Sequence, residues 1–64
     1  MRLHNAEIGN YRVLKANKRL DPIKIGSSIK LVQRSDDYVV VHVQGMRFAV
    51  PIRVARDVVI EPID

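Results

Sequence analysis

The sequence predicts an all-β fold, a small closed or half-closed barrel of five short strands with one helical turn before the last. Three observations predict it. Apolar and polar residues alternate with period two, most regularly over residues 37–56, and no window sustains the 3.6-residue period of a helix. Glycines at 9, 26 and 45 and prolines at 22, 51 and 62 cut the chain into strand-length pieces. The length, 64 residues, allows one domain, residues 1–64, with a small core. Closing Val-rich strands around that core removes edges that other chains could pair with.

The elements follow in order. Residues 7–13 and 24–31 share one local pattern, a turn glycine leading into an alternating strand. Two occurrences do not make a repeat architecture. Between them, residues 17–22 are polar and end in Pro22, which predicts a loop. With Lys15 and Lys24 at its borders and Lys18 and Arg19 inside, this is the most basic part of the chain.

The hairpin over 37–56 fixes a register. Val39, Val41 and Val43 share one face of a strand, and Met46, Phe48 and Val50 share one face of the next. Gln44 and Gly45 form a two-residue loop of type I′ or II′, with Gly45 accepting positive φ. Val43 then faces Met46, Val41 faces Phe48 and Val39 faces Val50.

The preceding turn has two candidate lengths. A two-residue loop at Asp36 and Asp37 puts Val32 opposite Val41 and turns Ile29 and Leu31 outward. A three-residue loop, Ser35 to Asp37, puts Leu31 opposite Val41 and Ile29 opposite Val43. The second buries more and is chosen. The result is a meander over roughly 28–34, 38–43 and 46–51. Residues 52–56 form a single helical or 3₁₀ turn, and 58–60 form the last strand.

The outward face of this meander carries the candidate site. Lys30 lies opposite His42, His42 opposite Arg47, and Arg34 opposite Tyr38, with Val40 and Ala49 between. A basic stripe with one aromatic ring suits a phosphate backbone or an acidic protein surface. The same composition also suits an ordinary solvated sheet face. Single-strand binders usually add several stacking aromatics, whereas this chain has Tyr11, Tyr38 and Phe48 only.

Net charge is +4 and unevenly spread: residues 1–34 hold eight basic and two acidic residues, residues 35–64 three and five. Long-range attraction to phosphates or acidic partners follows from the basic half. There is no cysteine, hence no disulfide and no thiolate for zinc. The longest apolar runs are far short of a membrane span, and the first residues lack the apolar region of a secretory signal. These features predict a soluble, cytoplasmic protein.

Catalysis and cofactors are not expected. His4 and His42 are far apart and lack ligand spacing. Asp36 and Asp37 are adjacent and read as turn residues. Ser27 and Ser28 lack the surroundings of a nucleophile, and Gly26 lacks those of a phosphate loop. So small a barrel has no room inside for a ligand pocket, and binding falls to the surface.

Residues 25–31, the hairpin 39–50, Val54-Ala55 and the closing 58–60 together resemble the FeoA family, small SH3-like barrels associated with ferrous iron transport. The likeness spans about residues 24–60, with an echo over 3–13. It implies an SH3-like barrel acting as a cytoplasmic accessory to a transporter. A fainter likeness, in residues 31–34, 39–43, Val50-Pro51 and Ala55, is to HIRAN-type modules that bind DNA ends. Compact, basic, cysteine-free barrels also occur among phage-encoded inhibitors of host proteins.

The expectation is thus a non-catalytic interaction module. Its partner surface comprises Lys15, Lys18, Arg19, Lys24, Lys30, Arg34, Tyr38, His42 and Arg47. The partner is an acidic protein surface, such as a transporter's cytoplasmic domain, with nucleic acid as the alternative. The Val-rich strand at 57–61 offers an edge for pairing with a second copy.

Overall fold

The structure is a computed structural model that describes residues 1–16 and 23–63. Five strands form one antiparallel sheet: β1 (Gly9–Lys15), β2 (Ser28–Arg34), β3 (Tyr38–Val43), β4 (Met46–Pro51) and β5 (Val59–Pro62). Their order is β4-β3-β2-β1-β5. A one-turn helix, α1 (Ile52–Ala55), separates β4 from β5, and a 3₁₀ turn, Leu3–Asn5, precedes β1. The expected loop over 17–22, with Lys18 and Arg19, lies outside the described residues.

The β3–β4 hairpin has the register its alternation requires. Val43 pairs with Met46, Val41 with Phe48 and Val39 with Val50. Gln44 and Gly45 both have positive φ, 52° and 78°, which makes the loop type I′. That turn matches the natural twist of the flanking strands, so it holds the two valine rows face to face.

The β2–β3 hairpin departs from expectation in an instructive way. The N–H of Ser35 donates to the carbonyl of Tyr38 at 2.9 Å, so the turn is the two-residue Asp36-Asp37 loop. Accordingly Arg34 pairs with Val39 and Gln33 with Val40. The register then shifts, and Leu31 pairs with Val41 and Lys30 with His42. One extra residue on β2, Val32, accounts for the shift, which is a β-bulge. The short turn and the core-filling register therefore coexist. The expected pairing of Arg34 with Tyr38 is corrected to Arg34 with Val39.

One face of the sheet holds the core. Tyr11, Val13, Ile29, Leu31, Val39, Val41, Val43, Val50 and Ile60 are buried there, joined by Leu3, Ala6, Ile23, Ala55 and Val58 from outside the sheet. No polar or charged residue is buried among those described. The molecule measures 26 × 25 × 23 Å. A flat five-stranded sheet would be much thinner in one direction, at about 10 Å per packed layer, so the sheet curls round its contents. Among the described residues no backbone ladder joins β4 to β5; α1 packs on β3, β4 and the N-terminal 3₁₀ turn.

The N-terminal segment was not anticipated as a structural part. Leu3 is fully buried, its N–H donates to the Val58 carbonyl at 2.9 Å, and the Ile60 N–H donates to the Met1 carbonyl at 2.7 Å. Arg2 bridges to Val59. Residues 1–3 therefore lie along the outer side of β5. Pairing of a second copy at that edge would have to displace them.

Candidate functional site

The outward face of β2, β3 and β4 brings three expected residues into one row. Lys30 pairs with His42 and His42 with Arg47, and all three are exposed. Asn10 of β1 pairs with Lys30 and extends the row, a member the sequence reading missed. Its position depends on the register between β1 and β2, which are separated by residues 16–27. The signal that could have found it is Gly26, whose φ of 89° closes that hairpin, with its N–H donating to the Val13 carbonyl at 2.8 Å.

Beside this row runs an apolar strip. Val40 pairs with Ala49 on one side and with the exposed Gln33 on the other, next in the chain to the bulge residue Val32. Val32 and Val40 are half-buried and Ala49 is exposed. Beyond the strip, Tyr38 pairs with Pro51. Tyr38 and His42 are four residues apart on β3, about 13 Å at the usual strand rise. The face thus has a cationic end, an apolar middle and one half-buried tyrosine.

Arg34 does not join it. The bulge at Val32 turns Arg34 to the side of Val39, which points into the core. Its guanidinium Nη2 donates to the carbonyl of His4 at 3.3 Å. Arg34 therefore ties the end of β2 to the N-terminal 3₁₀ turn. In the same region His4 Nδ1 is buried without a hydrogen-bond partner among the described residues.

Lys15 and Lys24 also lie away from the row, towards the loop end of β1 and β2. The Lys24 carbonyl accepts from the Ser27 N–H at 2.9 Å, and its own N–H donates to Ser27 Oγ at 3.3 Å. Lys15 follows a second bulge, at Leu14, where the pairing shifts from Val13–Ile60 to Lys15–Val59. With Arg2, Ala16, Asp57 and Val59 it lines an open surface cleft of about 270 Å³. Among the described residues the cleft presents one carboxylate, Asp57, and two cations, Arg2 and Lys15.

Charge on the outer face is compensated in one place. Arg12 on β1 pairs with Glu61 on β5, and their side chains form an ion pair at 3.7 Å, the only one among the described residues. Both ends are about half exposed, so it is worth little in stability. No carboxylate stands in the Asn10–Lys30–His42–Arg47 row.

No group of three or more metal-ligating side chains occurs among the described residues. No described helix is long and apolar enough to cross a membrane. Comparison with protein-family models, with curated proteins and with solved structures finds no match for this chain.

Proposed function

We propose that this chain is a non-catalytic protein-interaction module, built as an SH3-like barrel, whose outer sheet face docks on an acidic surface of a larger protein. One observation carries the reading. Lys30, His42 and Arg47 stand in a row across three strands with no carboxylate among them, beside the apolar pair Val40 and Ala49. An uncompensated cationic row speeds encounter with an acidic partner, and an adjacent apolar strip gives the complex area to bury. The SH3-like reading is supported by the strand order, the helical turn before β5 and the near-equal dimensions of the curled sheet.

Protein is favoured over nucleic acid by the placement of the aromatic rings. Tyr11 is buried and its hydroxyl donates to the Glu7 carbonyl; Phe48 lies on the inward side of β4. Tyr38 alone is left on the outer face, and one ring is a poor platform for stacked bases. The FeoA resemblance makes the cytoplasmic part of a ferrous iron transporter one acidic surface to try first.

The test is a pull-down from lysate at about 150 mM salt, where exposed charges are screened beyond roughly 8 Å, with and without nuclease. A discrete protein that survives nuclease and is lost with a Lys30→Glu/Arg47→Glu bait supports the reading. Recovery of nucleic acid alone, lost on nuclease treatment, contradicts it.

A further inference from the structure

The two sides of the sheet end differently. The outer side of β5 is occupied by residues 1–3 through the Leu3–Val58 and Ile60–Met1 backbone hydrogen bonds. Among the described residues nothing pairs with the outer side of β4, the strand at the opposite end. Val43 and Met46 close a two-residue turn and so exchange hydrogen bonds. In an antiparallel ladder every second pair does the same, so Phe48 and Val50 also bond to β3. The N–H and C=O groups of Arg47 and Ala49 then point to the open side. Pro51, which has no N–H, limits the edge at its far end.

The side chains along this edge are graded. On the inward side Val50 is buried, Phe48 is half-buried and Met46 is 56% exposed. On the outward side Arg47 heads the cationic row and Ala49 leaves a small, uncovered site beside Val40. A strand added here would cover Met46 and Phe48 with one set of its side chains and meet Arg47 with the other.

We propose that the partner supplies an extended segment of alternating apolar and acidic residues, which adds to β4 as a sixth strand. Its apolar side chains lie over Met46 and Phe48. A carboxylate stands beside Arg47, and the backbone pairs with Arg47 and Ala49. Main-chain pairing supplies affinity and the alternate side chains supply selectivity. A second copy of this chain does not fit the edge. Antiparallel pairing of two β4 strands would merge both outer faces and place two Lys30–His42–Arg47 rows on one surface, like charge beside like charge. This inference rests on the interaction-module reading and names the partner's chemistry.

The experiment follows the backbone amides of the labelled protein by NMR during titration with an acetylated octapeptide alternating valine and glutamate. Polyglutamate and a valine–lysine octapeptide serve as comparisons, and an N-methylated valine–glutamate peptide removes the pairing amides. The expected result is slowed hydrogen exchange at Arg47 and Ala49 with the valine–glutamate peptide alone. N-methylation and Arg47→Glu should each weaken binding about tenfold or more, roughly the factor that 1.4 kcal/mol supplies. If the N-methylated peptide binds as well and neither amide is protected, strand addition is overturned. If polyglutamate still perturbs Lys30 and His42 in that case, the basic-face reading stands without it. If no acidic peptide perturbs the row, both readings fall.

Discussion

Leu31 stands opposite Val41, although the Asp36-Asp37 turn that joins their strands would by itself put Val32 there. The bulge at Val32 absorbs the difference. It keeps Ile29 and Leu31 in the core, brings Gln33 opposite Val40 and turns Arg34 towards the 3₁₀ turn. The composition of the candidate site depends on this one inserted residue.

The bulge can be checked by stability. Leu31→Ala removes a fully buried side chain and should cost about 2–5 kcal/mol. That is a large share of the roughly 3–10 kcal/mol expected for a domain of this length. Val32→Ala should cost less than about 1 kcal/mol. Urea midpoints of the two variants decide; a larger loss at Val32 would mean that the regular register holds instead.

The type I′ turn makes a second pair of predictions. Gly45 has φ of 78°, where a Cβ is disfavoured by about 1–2 kcal/mol, so Gly45→Ala should lower Tm by roughly 4–8 °C per kcal/mol. Gln44 holds φ of 52° with a side chain poorly suited to it, so Gln44→Asn should raise Tm by a few degrees. Thermal unfolding followed by circular dichroism reads both. Equal Tm for Gly45→Ala and the parent would rule out the turn type.

Residues 1–3 should act as a guard for β5. A chain synthesised without Met1 and Arg2 loses the acceptor for the Ile60 N–H and uncovers part of the strand. Sedimentation velocity should then show concentration-dependent association that the full chain lacks. A truncated chain that stays monomeric over the same range would show that this cover is dispensable.

Charge reversal should separate the face from its neighbour. Lys30→Glu and Arg47→Glu should each weaken binding to an acidic partner severalfold, mainly through slower association at low salt. Arg34→Glu should change association much less, because Arg34 points to His4 and away from the row. Equal effects at all three positions would indicate a diffuse attraction to net charge.

Much of the fold was legible because it is written locally. Alternating valines flank Gln44-Gly45, and the turn leaves a single register that buries Val39, Val41, Val43 and Val50. His42 opposite Arg47 follows from the same pairing; Lys30 opposite His42 is expected from a three-residue turn and is produced by a two-residue turn with a bulge. What was hidden has a physical cause in each case. Leu31 and Val32 are both apolar, so the pattern could not say which was the inserted residue. A three-residue 3₁₀ turn has no period, so Leu3 and Ala6 gave no sign of their burial. Asn10 entered the row through the pairing of β1 with β2, strands separated by residues 16–27, a register that alternation does not encode.

The central claim is that the outer face recognises acidic protein surface. The most direct measurement is amide chemical-shift mapping at about 150 mM salt, with polyglutamate in one titration and a mixed-sequence single-stranded oligonucleotide in the other. The account predicts that polyglutamate shifts Asn10, Lys30, His42 and Arg47 while the oligonucleotide leaves them unmoved. Shifts from the oligonucleotide at those residues, with affinity falling by about 0.7 log unit per log unit of salt for each phosphate contacted, would contradict it.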